Sequence, residues 1–164
     1  MELPEVEVVR RDLERDVVGR RIAAVEVRRM KNTKRVIRRH KTPKEFRDRL
    51  LGHKVTRAER KGKYILLQLD DGNVLVVHFG MTGRFLRGNK RLAFDNHTHV
   101  IITFQTGGDL RFVDPRTFGE MFVTAADDLG KVKELAHLAI DPLESMFTWQ
   151  QFSGALANRA SKLK

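Results

Sequence analysis

The chain begins Met-Glu-Leu-Pro-Glu, and its first two residues already pair a nucleophile with an acid/base group. A terminal α-amine titrates at about 7.7 to 8.0, so an appreciable fraction is neutral near pH 7, unlike a lysine. A neutral amine can attack a sugar carbon, and the Glu2 carboxylate beside it can give or take the proton that this step moves. Residues at a chain end fray in solvent unless something holds them. Chemistry at Met1 therefore needs a rigid element directly behind it.

The sequence supplies one. From Pro4 to Val18 the apolar residues Val6, Val9, Leu13 and Val17 recur at helical spacing, Pro4 suits a first turn, and Glu5 and Glu7 complement the positive end of the helix dipole. Gly19 ends that helix. Other side chains with chemical potential sit in β-rich stretches. Lys63 follows Gly62 at the entrance to an apolar run, and His78 closes another. His97 and His99 alternate, which predicts one shared face of a strand and a spacing that suits a metal. No third ligand is apparent in the sequence, so no metal site is assigned.

The whole chain has 164 residues, 41% of them hydrophobic, with four prolines, which suits one domain with a substantial core. Cysteine is absent, which removes disulfides, thiolate catalysis and thiolate-ligated zinc from this chain. No apolar run reaches membrane-spanning length, and the first residues mix charge with valine, so a soluble, cytoplasmic protein is expected. A formal net charge of +11 points to a polyanionic partner, nucleic acid before others. That charge is uneven: residues 10–63 carry 21 bases and seven acids, and "RRMKNTKRVIRRHK" (28–41) has eight bases and no acid. The run reads as a loop, either simply solvated or in contact with phosphates.

Around these residues, "RIAAVEVRR" reads as a strand and "TPKEFRDRLLG" as a short helix capped by Thr42 and ended by Gly52. Six β-rich runs follow: "KVTRAERKG", "KYILLQL", "NVLVVHF", "THVIITF", "DLRFVD" and "EMFVT", with tight-turn signals at "LDDGNV" and "TGGDL". Several are apolar on both alternating faces. The expected fold is mainly β with flanking helices, a two-sheet antiparallel β-sandwich. Helical patterning returns after Thr124 in "DDLGKVKELAHLAI" and in "TWQQFSGALANRASKLK", where Trp149, Phe152, Leu156 and Ala160 share a face.

The ordered set "ELPEVE", "RKGKYILLQL", "HFGMTG", "HTHV" and "DPRTFG" resembles the N-terminal part of bacterial formamidopyrimidine-DNA glycosylase, the base-excision enzyme for oxidised purines, and more distantly its endonuclease VIII relatives. The resemblance runs from residue 2 to the end. It implies the sandwich fold, an N-terminal catalytic domain over residues 1–146, and the start of a helix-two-turn-helix domain over 147–164. It also implies glycosylase and abasic-site lyase activity on double-stranded DNA carrying an oxidised purine or abasic site, by a monomer acting at the bacterial nucleoid.

In that family the mature chain begins with proline, whose secondary amine attacks the sugar. Here Met1 stands in its place, with Glu2 as acid/base, so impaired chemistry is expected. The resemblance assigns Lys63 to phosphates flanking the lesion, His78 and His97 to the DNA backbone, and Lys164 to a further phosphate. It makes Met81 and Phe118 wedges and Arg116 the arginine that fills the space left by an extruded nucleotide. Thr98 stands where an aspartate is common, and Thr117 where a second arginine is. The family's zinc finger and the rest of its second domain are not in this sequence, so no cofactor is expected here and the phosphate grip should be weak. The alternative reading is a non-catalytic module that binds damaged DNA.

Overall fold

The computed structural model describes residues 1–136. The expectations for the later helix, for the 146/147 boundary and for Lys164 lie outside those residues. Helix α1 (Leu3–Asp16) forms as its apolar spacing predicts. It buries Val6, Leu13 and Val17 and leaves Val9 half-buried. At its start the Glu5 carboxylate accepts a hydrogen bond from the Glu2 backbone N–H at 3.1 Å, which restrains the chain ahead of Pro4.

Strand β1 (Ile22–Val27) is followed by the basic run. That run is not the solvated loop its charge suggests. It contains a short helix, α2 (Thr33–Val36), and buries Thr33, Val36 and Ile37. Three inward-facing residues among eight cations are enough to fix the segment on the sandwich; their i, i+3, i+4 spacing is helical, but only Val36 and Ile37 are apolar, too few to stand out among the cations. Helix α3 (Pro43–Leu50) starts where expected, with the Thr42 hydroxyl accepting from the Glu45 N–H at 3.1 Å.

The remaining strands are β2 (Val55–Lys61), β3 (Tyr64–Leu69), β4 (Asn73–His78), β5 (Arg84–Gly88), β6 (Thr98–Phe104), β7 (Asp109–Val113) and β8 (Glu120–Ala125). They form two antiparallel four-stranded sheets, in the orders β1-β6-β7-β5 and β2-β3-β4-β8. This is the expected sandwich, with one strand more than the sequence announced. β5 was hidden because it is an edge strand with Arg84, Leu86 and Arg87 all exposed and no continuous apolar face.

The main core lies between the sheets, where Phe79, Phe85 and Phe112 meet with ring centroids 5.3 to 6.2 Å apart. The outer face of the second sheet is also covered. Leu66, Val74, Val76 and Phe122 pack beneath Leu129, Val132 and Leu135, from a 3-10 turn (Ala126–Lys131) and helix α4 (Lys133–Ala136). That second cover explains why β4 and β8 read as apolar on both faces. Among the described residues, no helix is long and apolar enough to cross a membrane.

Candidate nucleophile and DNA-facing loops

Helix α1 packs on β2 and β3, and a buried charge network fixes its position. Glu7 lies 8% exposed. Its carboxylate accepts from Arg10 on its own helix at 3.0 Å and from Arg60 of β2 at 3.1 Å. Burial alone would push this carboxyl up, but the bonds from Arg10 and Arg60 and the nearby Arg11 outweigh it and hold it below the ordinary carboxylate value.

The consequence at the chain end is a defined position for the first residue. The Met1 side chain is half-buried against the main core, and its amine points at the Gly80 carbonyl, 3.4 Å away. Met1, Val6, Lys63, His78, Phe79 and Gly80 enclose a niche of about 10 Å³, the room of a single water. Lys63 Nζ stands 4.0 Å from the Glu2 carboxylate, with both side chains largely exposed. Residues from α1, the β2–β3 turn and the end of β4 therefore converge on the amine.

His78 lines this niche half-buried, its ring 4.6 Å from that of Tyr64. Burial pushes its pKa down; Glu120 opposes this, while Arg38, Lys63 and the terminal amine add to it. Its Nδ1 accepts from the Gly80 N–H at 3.1 Å, so the ring proton sits on Nε2, which is left as a neutral donor. A proton titration followed by NMR should place the His78 midpoint below 6.5. The sign follows: as pH falls through 6.5 the unfolded chain takes up this proton first, so His78 costs stability below that pH and nothing well above it.

The loops carrying Met81, Arg116 and Phe118 lie back to back beside Gly80. A Cβ on Gly80, whose φ is +61°, would stand 2.7 Å from the Phe118 carbonyl carbon, so only glycine permits the approach. Met81 is 67% and Phe118 50% exposed, and the Arg116 guanidinium sits 5.3 Å over the Phe118 ring. Large apolar side chains this open on adjoining loops lie outside the core and form an exposed apolar patch.

Asp114, fully buried, ties the two loops together. One carboxylate oxygen accepts from the Thr82 hydroxyl and the other from the Gly119 N–H at 2.8 Å. Thr117 holds φ +54° in between, a strained conformation for a β-branched residue. Sequence reading passed over Asp114 and Arg60 and took Glu7 only as a complement to the helix dipole; an acid within "DPRTFG" was the available signal for Asp114. Asp114→Ala orphans two donors and should cost about 2 kcal/mol in urea denaturation.

The two histidines of "HTHV" do not share a face. His97 is exposed ahead of β6, and its carbonyl accepts from the Asp114 N–H at 3.0 Å. His99 is 2% exposed, with Nδ1 2.9 Å from the Thr33 hydroxyl and Nε2 2.9 Å from the Asp114 carbonyl. Both its ring nitrogens are occupied by protein, so it is a strut and not half of a metal pair. Alternation misled here because the strand starts only at Thr98 and its pairing with β7 is irregular between Thr98 and Val100. Part of the basic run is likewise spoken for: Arg38 and Arg39 pair with buried Glu120.

Residues 1–121 match the family model for the formamidopyrimidine-DNA glycosylase N-terminal domain. Formamidopyrimidine-DNA glycosylases from Salinispora arenicola and Thermobifida fusca are 42% and 40% identical, each over 99% of this chain and 56% and 58% of their own length. The chain thus spans somewhat over half the length of these curated relatives. The Lactococcus lactis formamidopyrimidine-DNA glycosylase bound to abasic-site DNA superposes with a TM-score of 0.71 at 29% identity, covering 79% of this chain and 47% of that one. The same enzyme bound to DNA containing a formamidopyrimidine lesion gives 0.70 at 29% identity, over 77% and 45%. On its sequence and on its fold, this chain belongs to the formamidopyrimidine-DNA glycosylase family.

Proposed function

We propose that this chain provides the N-terminal catalytic domain of a DNA glycosylase and abasic-site lyase for oxidised purines in base excision repair, with Met1 as its nucleophile. The observation that carries this reading is the convergence of the terminal amine with Lys63, His78 and Gly80 beside the loops of Met81, Arg116 and Phe118. The neutral amine adds to C1′ of the abasic sugar in its aldehyde form. Loss of water gives the Schiff base, and Glu2 exchanges the protons of these steps. Lys63 and the His78 Nε2–H hold neighbouring phosphates, and His97 contacts the backbone near Asp114.

Extruding a nucleotide costs a few kcal/mol and leaves a gap. Met81 and Phe118 would wedge into the stack while Arg116 bonds the orphaned base. A primary amine at Met1, in place of a proline's secondary amine, would make this chain slower than a proline-bearing enzyme. Borohydride trapping of the 164-residue chain on an abasic-site duplex should give a covalent adduct. If none forms while lesion duplexes still bind more tightly than intact ones, the chain is a non-catalytic binder of damaged DNA. If lesion and intact duplexes bind alike, both readings fail.

A further inference from the structure

A separate hollow of about 970 Å³ opens between β1, the segment after it and the start of α3, and shares no lining residue with the niche at Met1. Glu26 is the only carboxylate among its described lining residues, whereas Arg29, Lys34 and Arg35 are exposed around it and make no ion pair with any described residue. Lys44 and Arg47, on the opposite wall, are already paired with Asp48. A second hollow of about 310 Å³ continues on the far side of Lys34 and Arg35 and adds Lys41.

Three unpaired cations on a mobile loop would be an ordinary solvated surface. Here the wall that carries them is fixed: the Thr33 hydroxyl meets His99 at 2.9 Å, the Arg28 N–H donates to the His99 carbonyl at 2.8 Å, and Val36 and Ile37 are buried. Like charges lining one ordered wall repel one another, and a bound polyanion relieves that repulsion at a small ordering cost. We propose that this groove is a second anion site, which takes consecutive phosphates of a DNA strand outside the Met1 niche. The proposal rests on the reading of DNA as partner, and requires nothing of the chemistry at Met1.

The test measures binding of an undamaged 20-base-pair duplex by fluorescence anisotropy across a salt series. The triple variant Arg29→Gln/Lys34→Gln/Arg35→Gln should bind about tenfold more weakly than wild type. Its slope of log K against log salt should be shallower by two to three, at about 0.9 per phosphate. A charge-matched control, Arg15→Gln/Arg57→Gln/Lys131→Gln, should change the slope by less than one. Equal slopes for wild type and groove variant overturn the proposal, as does a control that loses as much. Tripolyphosphate titrated in place of the duplex separates the sources: if only its binding is lost in the groove variant, the site serves free polyphosphate and not DNA. Borohydride trapping at saturating abasic DNA should be unchanged in the groove variant. Absence of an adduct in every protein would refute the nucleophile at Met1 and leave the slope comparison intact.

Discussion

Extending the chain by Gly-Ser ahead of Met1 is expected to abolish the borohydride-trapped adduct on abasic DNA, a loss of at least about 100-fold, while duplex affinity changes little. The reason is geometric. The amine is fixed by a half-buried methionine and a helix anchored on β2, in a niche about the size of one water. Two added residues displace the new amine by up to about 7 Å, and misplacing a reacting atom by 1 Å already costs about 100-fold. The same experiment separates Met1 from its neighbour: if Lys63 Nζ were the attacking group, the extended chain would still give the adduct. Inserting proline between Met1 and Glu2, so that methionine removal exposes a secondary amine in the family's position, should raise trapping above wild type. The Gly-Ser extension should leave the melting curve unchanged, because it lies ahead of α1 and keeps the Met1 side chain on the core.

How much of this site could be read from the sequence depended on how local the signals were. Helix α1 declared itself through Val6, Leu13, Val17 and Pro4, and two hairpins through Gly72 and the Gly107–Gly108 pair, all with positive φ. Those features use nearest neighbours and hard backbone sterics. β5 was missed because an edge strand needs no apolar alternation, and α2 because three buried residues were lost among the arginines. The fixed distances at the site come from groups that only the fold unites. Glu7 and Arg60 are 53 residues apart, and Thr82 meets Asp114 across 32. His99 shows the converse, a residue whose spacing suggested a ligand and whose partners, Thr33 and Asp114, come from a distant helix and loop. Motif resemblance located the exposed residues; the buried ones that aim them became visible only in three dimensions.

Of those buried residues Glu7 should matter most. Glu7→Ala leaves the Arg60 guanidinium, whose side chain is 4% exposed, without its carboxylate, and should lower stability by about 3 to 5 kcal/mol. Urea denaturation at pH 7 checks this. Replacing both partners, as Glu7→Leu with Arg60→Met, removes the buried charge together with its lost carboxylate and should recover most of the loss. The pH dependence has a definite sign. The folded Glu7 carboxyl titrates below its ordinary 4.5, so its contribution is fully present above 4.5 and disappears as pH falls through the lower folded value. Asp16, Glu45, Asp48 and Asp70 are also depressed by basic neighbours, so wild type loses stability in acid from several sources. The difference between wild type and Glu7→Ala isolates the buried pair, and it should shrink steadily as pH falls below 4.5. Adduct formation in the folded fraction supplies the link to chemistry: with α1 no longer pinned to β2, the Met1 amine loses its fixed approach, and trapping should fall in Glu7→Ala and return in the double variant.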